Sequence, residues 1–500
     1  MKQTILLGKR TAVRSFLAPK GHEGAPRGPW GRTTYVVGLG ALSSLCVGML
    51  CGCANVRVAE YQRPEAPAKA SWSQAAGTAV SATETISPRW WTEFRDPALD
   101  ALVARAVAGN FDLKMLAGRI EVAGAQIDEV RAGALPSADI GAGSSLQKTT
   151  GQKFSKQTNL GTQVSWDIDI WGKVNKGVQA QTAEFHATEA DWRAGYLQLV
   201  ASISTTYFQI LQLDEQIEQQ QRALSKNQQI LRIYETMRSN GLVADTQVLR
   251  QRAENNRLTK ELLELRRLRA ISENALATLL GVPAGEFKVQ PGRLQDRVRV
   301  PSVPAGLPLD LLARRPDVVA AEFRVLQAHD LVGQARLAQL PSVSLTGQGG
   351  TAAFKLGDLF RSFTFGLLPS INIPAFNPGI KARVKTSEAQ VKVAEQDYRR
   401  SVIAAFEEVE NALVNLEAHR QQNEELRMQV DQLRQVSAQT EVQLAAGMVS
   451  QLEVFENERT LLSAQLALLA GHQQVLSDTV TLYKALGGGW GPVEVANAKN

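Results

Sequence analysis

Apolar residues recur along this 500-residue chain in two rhythms. In one stretch Thr162, Val164, Trp166, Ile168 and Ile170 alternate with Gln163, Ser165, Asp167 and Asp169. A period of two predicts a strand with one apolar and one polar face. Residues 363–373 (FTFGLLPSINI) form its counterpart, and residues 138–146 and 343–350 are two further candidates. Elsewhere the steps lengthen. Val200, Ile203, Tyr207 and Ile210 step three, four, three; Leu258, Leu262 and Leu265 step four, three. That spacing puts side chains on one seam of a helix that packs against a neighbouring helix.

Proline and glycine set the lengths. No proline occurs between Pro136 and Pro283, or between Pro378 and Pro492. Proline breaks helix interiors, so its absence predicts two helices over 172–239 and 380–446. At about 1.5 Å per residue each reaches roughly 100 Å. Gly241 and Gly447 follow them, and shorter helices are expected over 243–280 and 449–486, ending at Gly281 and Gly487.

The pattern is duplicated. Residues 106–146 align with 311–351 at an offset of 205. Leu135-Pro136-Ser137 answers Leu340-Pro341-Ser342, Asp112 answers Asp317, and, one residue later in register, Gly241-Leu242-Val243 answers Gly447-Met448-Val449. So long a period is not a solenoid unit and predicts two tandem structural halves.

Composition changes the picture in three places. The chain's net charge is +6, but residues 1–33 hold seven of its 55 basic residues and one of its 49 acids. The remaining chain carries 48 of each, so the basic balance belongs to a leader and no nucleic-acid surface is expected. An apolar run over 33–53 follows this basic region, as in a secretory signal. All three cysteines lie within 46–53, and Leu50-Cys51-Gly52-Cys53 fits a bacterial lipobox. The expectation is a signal peptide over 1–52, cleavage before Cys53, and a lipid on Cys53. With no later cysteine and only scattered histidines, a metal centre is not expected. No P-loop, G-x-S-x-G elbow or H-E-x-x-H occurs, so the expected function is neither enzymatic nor cofactor-dependent.

After Cys53 no apolar run reaches the length of a membrane helix. If the chain crosses a bilayer it does so as a closed barrel, because lipid offers no partner to an open sheet edge. Four strands cannot close a barrel, which needs about eight. Sharing a barrel among three copies would give twelve.

At this point Trp90-Trp91-Thr92-Glu93-Phe94-Arg95-Asp96-Pro97-Ala98-Leu99, Asn110-Phe111-Asp112-Leu113, Ala335-Arg336 and above all Arg315-Pro316-Asp317-Val318-Val319-Ala320-Ala321-Glu322 become informative. With the lipobox and the duplication, the chain resembles the TolC-like outer-membrane factors of efflux pumps, within them the lipidated NodT-type subgroup. The likeness covers roughly 53–490. It implies a mainly α fold with a membrane β-barrel: a homotrimer sharing a 12-stranded barrel, a long coiled-coil helical barrel, and a mixed α/β equatorial belt. The expected organisation is an N-terminal segment of the belt (53–97), a first repeat (98–283), a belt linker (284–310), a second repeat (311–487) and a tail (488–500).

The resemblance also implies a passive conduit for small molecules or ions, reaching from the outer membrane into the periplasm. Its implied partners are outer-membrane lipid, a periplasmic adaptor and an inner-membrane pump of the RND type. A protein-secretion duct or a non-conducting envelope spacer are the alternatives. The candidate site residues follow. Val164, Trp166, Ile168 and Ile170 should face lipid. Gly241, Leu242, Val243, Gly447, Met448 and Val449 should form apolar helical tips that dock the adaptor. Asp245 and Glu453 are the nearest acids for a gate. Arg315, Pro316 and Asp317 should open a helix, and Trp90 and Trp91 should anchor the belt or a protomer interface.

Overall fold

The computed structural model describes residues 60–67, 69, 71–73, 86–148, 150–151, 154–303, 313–374 and 376–491. All belong to one compact unit, Arg57–Asn500. The leader and Cys53 lie outside the described residues.

After the opening helix of the first, the two halves repeat element by element. The first opens with α1 (Pro97–Gly109) and α2 (Phe111–Ala132), followed by the strands β1 (Ser137–Gln147) and β2 (Ser155–Ile168). The 67-residue α3 (Lys173–Ser239) and its returning partner α4 (Asp245–Leu279) complete it. After a short α5 (Leu294–Arg297) the second half runs α6 (Pro316–Leu337), β3 (Ser342–Ala353), β4 (Thr364–Asn372), the 68-residue α7 (Pro378–Ala445) and α8 (Gln451–Ala485). The 22-residue α2 and α6 begin and end 205 residues apart; the 35-residue α4 and α8 do so at 206.

The same clasp closes each half. Asn110 caps α2 by accepting from Leu113 N–H, and its amide donates to the Leu279 carbonyl at the end of α4, 3.0 Å away. At the matching place Arg315 donates to the Ala485 carbonyl at the end of α8, also 3.0 Å away. Gly281 and Gly487 then turn the chain with φ of +72° and +88°. A Cβ on Gly281 would meet the Gly109 carbonyl oxygen at 2.4 Å, and one on Gly487 the Arg314 carbonyl oxygen at 2.9 Å. Glycine is therefore required at both turns by φ and by space.

The sequence motifs are explained by these junctions. Pro316 occupies the first position of α6. Arg315, itself buried, makes ion pairs to Asp317 at 2.6 Å and Glu408 at 2.7 Å. Asp96 caps α1 through the Ala98 N–H and accepts from the Tyr207 hydroxyl at 2.7 Å. Trp90 is buried and stacks on Tyr483 with centroids 5.0 Å apart. Both tryptophans are covered within one chain.

The apolar core gathers where these pieces meet. Trp90, Phe94, Leu99, Val200, Ile203, Tyr207, Phe208, Leu276, Leu294 and Val480 form one cluster. A second joins Val318, Val325, Tyr398, Val402, Val409 and Leu482. An alanine stripe, Ala183, Ala187 and Ala190, lets α3 approach Val319, Ala320 and Phe323 of α6 closely. Residues 60–67, 69 and 71–73 lie against α6 and α7. Trp72 is buried there, Lys69 and Ser73 bind Glu410, and Arg63 pairs with the buried Glu322. Burial pushes the Glu322 carboxyl upward and Arg63 opposes that rise, so the pair ties the segment to the Arg-Pro-Asp helix.

Farther along the helices the seam changes character. Gln220 donates to the Leu258 carbonyl at 3.1 Å, Gln251 to Asn227 at 2.8 Å, and Gln216 to the Leu466 carbonyl at 3.2 Å. Buried amides specify register because an unmatched one loses its partner.

Candidate functional site

Two regions carry the sequence-predicted residues: the sheet and the two helical turns. The sheet has the order β1-β2-β3-β4, antiparallel throughout. Its register decides what each face presents. One set of neighbours across the four strands is Ala138, Val164, Gly347 and Leu367; another is Ile140, Thr162, Gly349 and Phe365. Trp166 pairs with Leu345, and Ile168 with Val343, which pairs with Ile371. Cross-strand partners share a face, so these side chains make one apolar surface. Between them lie Asp139, Gln163 and Gln348, then Asp167, Ser344 and Ser370. The opposite face is therefore polar, knit by the 2.7 Å contact between the Ser344 and Ser370 hydroxyls. Ile140, Phe365 and Ile371 are 82%, 74% and 68% exposed in the single chain. The sheet packs neither face on its own helices and leaves β1 and β4 as edges.

Two expectations shift here. Ile170 does not belong to the strand, which ends at Ile168. Asp169 ends it: its carboxylate accepts from the Val174 and Asn175 N–H groups at 2.9 and 3.0 Å, capping α3. A carboxylate at a helix N-terminus satisfies orphan donors, so the chain turns before Ile170 can join the ladder. The strand also begins earlier than its clear alternation, at Ser155, because Lys156, Thr158 and Leu160 continue the same face with a weaker apolar signal.

Aromatic residues frame both ends of the sheet. At the helix end the indole N–H groups of Trp166 and Trp171 donate to the carbonyls of Ala134 and Pro341, at 2.9 and 2.7 Å. At the hairpin end Phe154, Phe354, Phe360 and Phe363 are exposed. From Trp166 to Phe154 is twelve residues, about 40 Å along a strand and roughly 30 Å across a bilayer at a barrel tilt.

The two turns are near copies. Gly241 and Gly447 have φ of +73° and +70°. Leu242 N–H reaches back to the Met237 carbonyl at 2.8 Å, and Met448 N–H to that of Gln443 at 2.9 Å. Leu242 and Met448 are each 69% exposed. Val243 and Val449 are half-buried, so the exposed apolar tip is narrower than the sequence implies: each valine turns inward as its helix begins. Asp245 starts α4 and pairs with Arg238 across the turn. Glu453 lies three residues after Ser450, whose hydroxyl accepts from its N–H at 3.4 Å. Asp245 thus engages its carboxylate at the start of α4, whereas Glu453 gives only its backbone N–H to the Ser450 cap of α8.

Behind the tips, α3, α4 and α8 enclose a cleft of about 660 Å³, lined in part by Lys226, Tyr234, Arg250, Leu258, Phe455 and Arg459. Lys226 bridges the two hairpins, reaching Glu441 at 3.0 Å and also Glu458. Burial works against its charge, yet the two carboxylates hold its pKa above the usual lysine value. Periodicity gave no sign of this bridge, whose partners lie some 215 residues apart.

Comparison with known proteins agrees with this geometry. The family model described as outer membrane efflux protein matches residues 102–282 and 307–488, one segment in each half. The chain is 31% identical to the toluene efflux pump outer membrane protein TtgC of Pseudomonas putida, over 88% of this chain and 94% of that protein. It is 30% identical to the pyoverdine export outer membrane protein OpmQ of Pseudomonas putida, over 83% and 90%. The solved Campylobacter jejuni CmeC outer membrane channel superposes with a TM-score of 0.79 at 25% identity, over 88% of this chain and 96% of that one.

Proposed function

The chain belongs to the outer membrane efflux protein family, and from that premise we propose how its parts work as the outer-membrane channel of an efflux pump. One observation carries the reading. Four strands joined to long helices present one apolar and one polar face, with both sheet edges unpaired. Three copies joined β4 to β1 close a 12-stranded barrel, satisfying every edge. The polar face then lines a water-filled passage, and the helices carry it into the periplasm. A spacer would leave the apolar face without a role. The channel is a passive conduit; neither a reaction nor a cofactor enters its mechanism. The cargo is small molecules, as the names of the relatives indicate for those proteins. Purified protein is expected to run as a heat-sensitive, detergent-resistant trimer and to conduct ions in planar bilayers. A monomer without conductance would overturn the reading.

The finer assignments follow from it. Val164, Trp166 and Ile168 face lipid, and Asp167 faces the passage. Leu242 and Met448 dock the adaptor, with Gly241 and Gly447 shaping the turns and Val243 and Val449 supporting them. The inner-membrane partner is an RND pump. Of the two gate candidates, Asp245 is already paired with Arg238 across its turn, and Glu453, among the described residues, keeps its carboxylate free for such a role.

Lipidation at Cys53 fits the direction of residues 60–73. From Arg63 back to Tyr61 the contacts move along α6 from Glu322 to His329, toward its strand end, and the Tyr61 and His329 ring centroids are 5.9 Å apart. Cys53 precedes Tyr61 by eight residues, enough extended chain to span roughly 27 Å toward the bilayer. Acyl labelling is expected to disappear in Cys53→Ala and persist in Cys51→Ala; labelling retained in Cys53→Ala would refute the assignment.

A further inference from the structure

The two ends of the sheet differ in charge. Around the helix end, residues 133–137, 169–173, 338–342 and 373–377 carry only Asp169 and Lys173. Around the hairpin end, the described residues of 148–156 include Lys148 and Lys156 and no acid, and residues 354–363 carry Lys355 and Arg361 against Asp358. Among the described residues that is a net +3 per chain at one rim and zero at the other.

The geometry places this charge at the lipid boundary. Lys156 pairs across the ladder with Leu146, on the face that bears Ile140 and Val164. Lys148 continues the same alternation one step beyond β1, and its ammonium lies 4.9 Å from the centroid of the Phe154 ring. Phe154, Phe354, Phe360 and Phe363 are exposed around these cations. Asp358 is engaged by Arg361 at 3.2 Å. Among the described residues Lys148, Lys156 and Lys355 face no carboxylate partner.

We propose that this outer rim binds the phosphate groups of outer-leaflet glycolipids, its lysines meeting the phosphates while its phenylalanines enter the acyl boundary. Three observations favour such an occupant. The rim is continuous with the apolar sheet face, so it lies where head groups begin. Lysine keeps its stem in the apolar layer and lifts its charge to the head-group level, and aromatic rings prefer the same depth. The positive excess is confined to the end far from the helices, where anionic lipid attracts it without drawing periplasmic anions to the tips.

The inference rests on reading the sheet as the outer-membrane barrel, and the test separates the two. Trimers of the wild type, of Lys148→Glu/Lys156→Glu/Lys355→Glu and of the corresponding triple arginine variant are titrated with diphosphorylated lipid A, with its dephosphorylated form and with phosphatidylglycerol. Bound lipid is counted by native mass spectrometry, and trimer heat resistance is followed in parallel. The wild type and the arginine variant are expected to bind diphosphorylated lipid A at least tenfold more tightly than the glutamate variant, and to prefer it to the other two lipids. Equal binding of the dephosphorylated form, or wild-type binding by the glutamate variant, would overturn the phosphate contact. Equal binding of phosphatidylglycerol would overturn the glycolipid as its source. Conductance in phospholipid bilayers is measured on the same samples. A wild type that conducts but ignores lipid A refutes only this inference, whereas one that forms no channel refutes the barrel itself.

Discussion

Leu367→Arg is expected to prevent stable insertion of the trimer. Leu367 lies near the middle of β4, beside Gly347 and on the same face as Val164 and Ala138. An arginine near the bilayer midplane costs about 2–4 kcal/mol, and three copies share each barrel. Ile168→Arg should be far milder. Ile168 is the last residue of β2, close to the Trp166 indole, where the penalty falls to about 0–1 kcal/mol because the guanidinium reaches the interface. Gln348→Arg, on the polar face, should insert normally. Membrane fractionation and heat-shift electrophoresis distinguish these outcomes. If Leu367→Arg inserts while Gln348→Arg fails, the faces are reversed.

The second large effect concerns export. Leu242→Asp combined with Met448→Asp should leave an inserted trimer but reduce efflux to the level of cells lacking the channel. Neither side chain fills a core, so folding loses little. Each new carboxylate would need to shed water against a partner that offers it no matching charge. Cysteines placed at 242 and 448 should crosslink to a periplasmic adaptor. Normal export by the double variant, in cells without another outer-membrane channel, would show that the turns serve only the fold.

Much of this architecture is legible in the chain. The proline-free tracts set both long helices to within a few residues, since one proline there would have broken them. The offset of 205 identified the halves, and period-two alternation found β2 and β4. What stayed hidden depends on distance or on competition. The Asp169 cap displaced Ile170 because a local side-chain bond beat the apolar pattern. Val243 and Val449 resemble their exposed neighbours in sequence, and only the turn geometry separates them. The Arg63–Glu322 pair joins residues 259 apart, and the Lys226 bridge joins separate hairpins; neither leaves a local trace.

The paired clasps bear on how the chain reaches its final form. Asn110 closes on Leu279 over 169 residues, and Arg315 on Ala485 over 170. Each half thus completes its own longest loop without help from the other. Because closure entropy grows only with the logarithm of length, the first half can seal while the second is still crossing the inner membrane. The β2–β3 ladder, the packing of α3 on α6 and α8, the Trp90–Tyr483 stack and the Lys226 bridge to Glu441 and Glu458 must wait for both. Maturation is therefore expected to be modular, with two clasped hairpins forming first and the sheet, whose edges need sister chains, assembled last.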